Sequence, residues 1–283
     1  MKKILVPCDF SKPAINAFKF ALDVAERSGG TVILVHVIEL PVLHDTALMP
    51  VLSFEEQLLK DLKENAVAQF KKIIGKNKRE RVKIFSHVEF GPISRRILEM
   101  ISAQSVDVVI MGSHGASGLR EYFIGSKAEK IIRKSPVPVL VTKDYYEGPI
   151  KNIVFPNSLD KENQAELVAR VKDLQKFFKA HLHLVWINTP LNFSSDAVTH
   201  LRLQTFAKRF ALKDYSINIF NHYNEEDGII QFTKFVQGDI IAMGTHGKKG
   251  ITHLLNGSIA EDVANHTDSV IWTYTMKNEP VES

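Results

Sequence analysis

The sequence is short of the features that define several large classes of protein. It has a single cysteine, Cys8, so no disulfide forms within the chain, which is typical of a reducing compartment. No apolar run approaches the roughly 20 residues that a bilayer-spanning helix needs, and the opening MKKILVPCDF is not a signal-peptide pattern. The formal net charge of +4 is small and dispersed, unlike the basic surface of a nucleic-acid-binding protein. We therefore expect a cytoplasmic protein that binds neither membranes nor nucleic acids.

Three common active-site motifs are also missing. The chain has no G-x-x-x-x-G-K-[ST], which argues against a P-loop NTPase. No G-x-G-x-x-G follows the first predicted strand, so the usual dinucleotide fingerprint is absent. A G-x-S-x-G nucleophile elbow is absent too, which argues against an α/β-hydrolase.

What the sequence does contain is an alternation of strands and helices that occurs twice. The runs at 3–8 and 31–38 are apolar, and the segment between them carries apolar residues at helical spacing. This pattern indicates a parallel sheet that is covered by helices on both faces. The same order restarts at residue 151. We predict two tandem α/β domains, 1–145 and 149–277, each a five-stranded parallel sheet flanked by helices.

The last predicted strand of each half is apolar, at 136–143 and 269–275. Pro136 and Pro138 place the first of these at a sheet edge, because proline cannot donate a ladder hydrogen bond. Two apolar edges in one chain hide each other if they pair. We expect the halves to dock edge to edge as an intramolecular pseudo-dimer, joined by the turn-prone linker DYYEGP at 144–149.

One glycine spacing occurs in both halves: GSHGASGLREYFIGS at 112–126 and GTHGKKGITHLLNGS at 244–258. Each stretch reads Gly, two residues, Gly, nine residues, Gly-Ser, and it follows an apolar strand. The carboxyl ends of such strands are where parallel α/β sheets bind ligands. Glycine lets a ligand approach the backbone, and the N–H groups at a helix N-terminus favour an anion. The spacing predicts a phosphate-binding cradle built mainly from the backbone.

A structural alternative exists for the end of each motif. Ser126 with Glu129, and Ser258 with Glu261, fit the S-x-x-E capping box that begins a helix. This alternative does not explain the first two glycines of each motif or the equal nine-residue gap. The two roles are compatible, because a capping hydroxyl can also donate to a phosphate.

The glycine motif, together with the aspartate in VPCDFS, resembles the ATP-binding universal stress proteins in both halves. The resemblance implies a Rossmann-like, adenine nucleotide alpha hydrolase-like fold, with ATP, AMP or ADP as ligand and Mg²⁺ bound through the phosphates. The binding residues it implies in the first half are Pro7, Cys8, Asp9, Val37, Met111, Gly112, His114, Gly115, Gly125 and Ser126. The corresponding residues of a second, weaker site are Pro156, Gly244, His246, Gly247, Gly257 and Ser258.

The second half departs from the first at the acidic residue. Aligning IVFPNSLD with ILVPCDFS puts Asn157 at Cys8 and Ser158 at Asp9. The carboxylate that could accept hydrogen bonds from ribose hydroxyls or from the adenine amine is therefore missing. We predict that the first half binds nucleotide more tightly. A turn or cap role for Asp9 before the first helix remains an alternative.

The leading interpretation is a regulatory, nucleotide-binding stress-response protein without a dedicated catalytic apparatus. The first alternative is a weak ATPase or nucleotidyl transferase that uses the motif histidines His114 and His246. The second is an interaction scaffold that binds no nucleotide. His181 and His183 share one strand face without a ligand cluster, so we expect no metal site formed by protein side chains alone. Further pairing of the pseudo-dimer into a homodimer is left open.

Overall fold

A computed structural model of the chain describes residues 1–39, 52–113, 125–159, 164–246, 263, 266–267 and 269–276. The elements of the first half are β1 (Lys3–Pro7), α1 (Lys12–Ser28), β2 (Thr31–Ile38), α2 (Leu52–Asn77), β3 (Lys83–Phe90), α3 (Ile93–Ala103), β4 (Val108–Gly112), α4 (Ser126–Lys134) and β5 (Val139–Thr142). Those of the second half are β6 (Asn152–Pro156), α5 (Ala165–Phe178), β7 (His181–Asn188), α6 (Asp196–Arg209), β8 (Tyr215–Asn221), α7 (Glu225–Phe235), β9 (Ile240–His246) and β10 (Val270–Met276).

The described strands form one 10-stranded sheet in the order β3-β2-β1-β4-β5-β10-β9-β6-β7-β8. Within each half the strands pair in parallel, which confirms two tandem Rossmann-like domains, each with a five-stranded parallel sheet. The direction of strand order reverses between β1 and β4, and again between β6 and β9. Such reversals open a crevice at the carboxyl ends of the strands, where ligands bind in this class of fold.

The halves join through β5 and β10, which pair antiparallel with Leu140 opposite Trp272. This confirms the predicted edge-to-edge docking, because each apolar edge is covered by the other. A hydrogen bond also crosses the junction: the Thr275 hydroxyl of β10 donates to the Ile132 carbonyl of α4 at 2.9 Å. The boundaries of the two domains remain a prediction. None of the helices in the described ranges is both long enough and apolar enough to cross a bilayer.

Local sequence explains most element ends. Helix α1 begins after Ser11, whose hydroxyl accepts the N–H of Ala14, and it ends at Gly29 in the left-handed conformation (φ 60°) that glycine adopts without strain. Strand β5 is shorter than its predicted span and begins at Val139. Pro138, at the position just before it, contributes only its carbonyl, which accepts the N–H of Val109.

The linker contains no helix or strand, as predicted, yet its two tyrosines fix it to both halves. Tyr145 donates to Asp23 of α1 at 2.7 Å. Tyr146 donates to the Asp239 carboxylate of the second half, and its ring packs edge-on against Phe20 of the first half. Turn-prone composition alone did not indicate these contacts.

Candidate functional site

A cavity of about 310 Å³ opens at the carboxyl ends of β1, β2 and β4 in the first half. Its lining includes eight of the ten predicted residues of the first site: Pro7, Cys8, Asp9, Val37, Met111, Gly112, Gly125 and Ser126. The other two, His114 and Gly115, lie outside the described residues. Residues more than 100 positions apart in sequence thus surround one space, and the reversal of strand order is what brings them together.

The turn after β1 is held tightly against β2. The backbone N–H of Cys8 donates to the Val35 carbonyl at 2.8 Å, and the Nδ1 of His36 donates to the Cys8 carbonyl at 2.8 Å. Phe10 adopts a positive φ of 66°, and its ring packs on that of His36 with centroids 4.7 Å apart. This clamped turn forms one wall of the cavity.

Cys8 is buried in this turn, with 4% of its surface exposed. Burial raises the pKa of its thiol to about 12; a hydrogen bond from the Phe10 backbone opposes the shift, and the neighbouring Asp9 charge adds to it. The thiol is therefore protonated at neutral pH. Cys8 is a small buried residue and not an activated nucleophile.

Asp9 has the structural role that the sequence left open. Its Oδ1 accepts the backbone N–H of Ser11 at 3.1 Å and also the Ser11 hydroxyl, which in turn caps α1. The same carboxyl group is exposed and lines the cavity. The turn role and a place at the cavity therefore coexist in one residue.

The capping-box alternative is wrong for the first half. Gly125 occupies the N-cap position of α4 and has no side chain to cap it, so Ser126 is the first helical residue. Glu129 pairs instead with Arg133, one turn later, at 3.2 Å. The N-cap residue itself thus offers no side-chain cap to the first-turn N–H groups of α4, at the end of the helix that lines the cavity. In the second half, Ser258 and Glu261 lie outside the described residues.

The structure gives a reason for glycine at position 112 that the sequence did not suggest. A β-carbon at this position would lie 2.9 Å from both the carbonyl carbon and the Cβ of Pro13. The glycine therefore lets the end of β4 pass close to the first turn of α1. The close approach that requires a glycine at 112 is therefore that of the protein's own backbone at Pro13.

Sequence reasoning missed the apolar wall of the cavity. Ile93 and Ile97 of α3 and Ile131 of α4 face it, together with Val35 of β2. The i, i+4 spacing of Ile93 and Ile97 was visible in the sequence, but only the packing of α3 beside α4 shows that their stripe borders a cavity. Lys127, which also lines it, pairs with Glu39 at 3.1 Å.

At the corresponding strand ends of the second half, the described residues line a cavity of only about 20 Å³. Asn157 donates to the Oε1 of Gln164 at 2.6 Å and accepts the N–H of Leu159 at 2.7 Å. Gln164 occupies the place that Ala14 has in the first half. The methyl group of Leu167 lies so close to Gly244 that a β-carbon there would be 2.8 Å from it.

Only some of the predicted residues of the second site lie within the described residues. Pro156 and Gly244 line the small cavity, and His246 ends β9. Gly247, Gly257 and Ser258 lie outside the described residues. The binding roles of all these residues remain predictions.

The strand histidines are held by neighbouring side chains. Nδ1 of His181 contacts the Asp214 carboxylate at 2.8 Å, while His183 lies 3.2 Å from Asn152 and 3.0 Å from the Ser216 hydroxyl. These are structural contacts between adjacent strands. The part of the chain that the structure describes contains no group of three or more His, Cys, Asp or Glu side chains that could hold a metal ion.

Comparisons with known proteins agree with this architecture. A sequence model described as the universal stress protein family matches residues 1–143 and 149–272. The chain is similar to the universal stress protein MJ0577 of Methanocaldococcus jannaschii, with 32% identity over 153 residues, 50% of this chain and 94% of the relative. MJ0531 of the same organism is 29% identical over 142 residues, 50% of this chain and 82% of the relative.

Two solved structures share the fold along nearly the whole chain. A universal stress protein from Archaeoglobus fulgidus has a TM-score of 0.74 at 17% identity, covering 96% of this chain and 98% of that one. PA1789 from Pseudomonas aeruginosa, described as functionally unknown, has a TM-score of 0.62 at 16% identity, covering 97% and 92%. Since the family model matches almost all of both halves, the chain belongs to the universal stress protein family and carries two of its domains in tandem.

Proposed function

We propose that the first half binds an adenine nucleotide, ATP in the first instance, and that the second half does not. The observation that carries the proposal is the difference between two equivalent positions in one chain, about 310 Å³ against about 20 Å³. Ligand pockets begin at roughly 300 Å³ and are mostly apolar with a few polar groups, which fits the first cavity only. Membership of the family supports the same ligand class.

The lining of the cavity offers each part of a nucleotide a suitable partner. The side chains of Val35, Ile97 and Ile131 form an apolar wall for the base. Asp9, at the exposed edge, can accept hydrogen bonds from ribose hydroxyls. The uncapped N-terminus of α4, with Ser126 and Lys127, favours the negative charge of phosphates. Mg²⁺ would be held chiefly by those phosphates.

The described chemistry supports a binding and regulatory role over a catalytic one. Cys8 stays protonated, and the Asp9 carboxylate is already engaged by Ser11. Helix α4 gives a route by which occupancy can be sensed, because its N-terminus lines the cavity while its Ile132 carbonyl accepts a hydrogen bond from β10 of the second half. A nucleotide that pulls on α4 would therefore act on both halves.

Titration calorimetry with Mg-ATP tests the proposal through substitutions that exchange the cavity-facing side chains of the first half with their counterparts in the second. The unaltered chain should bind one nucleotide. The double variant Cys8→Asn/Ala14→Gln copies the Asn157–Gln164 pair into the first half and should lower the affinity by more than about tenfold, because buried polar atoms then occupy the site. Asn157→Cys/Gln164→Ala in the second half is the matched control, and it should leave the first site unchanged.

Two equal sites per chain, or a first site that tolerates the Asn/Gln pair, would contradict the proposal. The nucleotide retained through purification separates the remaining alternatives. After denaturation, mass spectrometry that finds ATP supports binding, whereas ADP or AMP alone would favour an enzyme. No retained nucleotide and no calorimetric signal would favour the scaffold.

A further inference from the structure

At the carboxyl ends of the strands of the second half, two neighbouring loops expose large apolar side chains. Leu191 and Phe193, in the loop after β7, are 92% and 75% exposed, and Tyr223, after β8, is 88% exposed. Single exposed apolar residues are common on protein surfaces, but a contiguous group of large ones marks an interaction site.

These loops are held in place by hydrogen bonds, so the exposure belongs to an ordered surface. Asn192, between the two apolar residues of the first loop, donates to Glu225, the first residue of α7 directly after the second loop, at 2.8 Å. Asn188 donates to Asn221 at 2.8 Å and accepts the N–H of Ser194 at 3.0 Å. The contacts bring both loops together and fix Leu191 and Phe193 on a rigid support.

Helix α6 extends this surface. It begins at Asp196, directly after the first loop, and it exposes Val198 and Leu201, which lie one helical turn apart on the same face. We call the five residues Leu191, Phe193, Val198, Leu201 and Tyr223 the apolar patch. All five side chains are more than half exposed, and three of them lie on the two loops that the Asn192–Glu225 hydrogen bond joins.

The rim of the apolar patch is acidic in a chain whose formal net charge is positive. The segments 189–199 and 221–229 contain Asp196, Glu225, Glu226 and Asp227 and no lysine or arginine, and Arg202, which follows Leu201, has its guanidinium over the Trp186 ring. Glu225 is buried against Asn192, and Glu226 pairs with His266 at 2.7 Å. Asp196 and Asp227 are exposed carboxylates, one next to each loop of the patch, and Asp227 also accepts a hydrogen bond from the Asn224 side chain.

We propose that the apolar patch docks a basic amphipathic segment of a partner protein, with apolar side chains on one face and lysine or arginine toward Asp196 and Asp227. Charge complementarity selects this occupant. A second copy related by a twofold axis would set the two acidic rims against each other. Anionic lipid or nucleic acid would meet the same repulsion. The proposal is independent of nucleotide binding in the first half.

Fluorescence anisotropy with two labelled helical peptides tests the proposal on the full chain. Both peptides carry leucines on one face over about four turns, and the polar face holds lysine in one and glutamate in the other. The lysine peptide should bind at least about tenfold more tightly than the glutamate peptide. The double variant Leu191→Ser/Phe193→Ser should weaken its binding by about tenfold or more.

Phe235→Ser is the matched control. Phe235 is 78% exposed but lies at the far end of α7, outside the apolar patch, so its replacement should leave peptide binding unchanged. Equal binding of the two peptides, or an equal loss in the control, would overturn the proposal. Self-association in sedimentation velocity that the double variant abolishes would also overturn it, in favour of a second copy. Unchanged urea midpoints establish that all variants are folded.

Discussion

The two halves share strand order and turn geometry, and they differ in what fills the turn after the first strand. Phe10 and Leu159 occupy the same place in this turn, with positive φ angles of 66° and 56°. In the first half, small side chains at Cys8 and Ala14 leave a cavity, while in the second an amide pair closes it. One fold therefore supports an open and a closed site, and two side-chain positions account for much of the difference.

The closed site is stable because its buried polar atoms are satisfied. Asn157 both donates to Gln164 and accepts from the Leu159 backbone, so closing the cavity leaves these groups paired. The comparison teaches that the same turn conformation is compatible with a cavity of ligand size in one half and with a much smaller one among the described residues of the other.

Asp107 and Asp239 each accept backbone N–H groups at the start of a neighbouring strand, and they give the largest expected difference in stability between the halves. Asp107 accepts the backbone N–H groups of Lys2 and Lys3, and Asp239 accepts those of Lys151 and Asn152 together with the Tyr146 hydroxyl. Asp239→Ala should therefore lower the free energy of unfolding by about 2 kcal/mol and Asp107→Ala by about 1 kcal/mol, measured by urea denaturation.

Tyr146→Phe is the control for this pair, since it removes the extra donor and leaves the two backbone donors in place. It should account for most of the difference between the two aspartate variants. Equal losses for Asp107→Ala and Asp239→Ala would show that the linker tyrosine contributes nothing to stability.

Gly112 at the end of β4 and Gly244 near the end of β9 sharpen the comparison at the site itself. A β-carbon at Gly112 would meet the Pro13 backbone, whereas one at Gly244 would meet the mobile end of the Leu167 side chain. Gly112→Ala should lower the free energy of unfolding by about 1–3 kcal/mol, and Gly244→Ala should cost less because a side chain can turn away.

Gly75 provides the matched control for both glycine variants. It lies within α2, and a β-carbon there would meet nothing within 4 Å. Gly75→Ala should stabilise the chain by about 0.5–1 kcal/mol through helix propensity. A Gly244→Ala variant that loses more than Gly112→Ala in urea denaturation would contradict the backbone argument.

The smallest expected effect is an acid sensitivity confined to the second half, where His183 takes the place of Ile33. Burial lowers the pKa of His183, and the nearby His181 lowers it further. Its neutral form is thus favoured by folding, and this stability is present above the ordinary histidine pKa of about 6.5 and is lost as pH falls below it. His183→Gln should lose less stability between neutral and mildly acidic pH, measured as the shift in urea midpoint. An identical pH dependence would contradict this assignment.

Much of the fold could be predicted because it depends on local pattern. Continuous apolar runs such as TVILVHVI indicated buried parallel strands, and Gly29 marked the end of α1. Docking of the halves followed from the apolar character of β5 and β10. The fixed position of the linker did not follow, because Tyr146 finds Asp239 93 residues away.

The candidate site was predictable at the strand ends and at the start of α4, and not along the faces of the helices. The motif residues Gly112, Gly125 and Ser126 line the cavity, yet the glycine at 112 is required by Pro13. The capping box was indicated by the S-x-x-E spacing, but it does not form in the first half because α4 begins at Ser126, one residue earlier than that motif requires. A local motif does not specify which of two adjacent residues becomes the N-cap.

The amino-acid sequence by itself determined the class of fold, the duplication and the strand ends at which a ligand could bind, because hydrophobic period and glycine spacing are local properties of the chain. Only the tertiary structure decided which half holds a cavity and which presents an apolar surface. That outcome depends on how side chains of different elements meet when the helices pack on the sheet, such as Ile97 of α3 near Ile131 of α4, or Gln164 before α5 against Asn157 after β6.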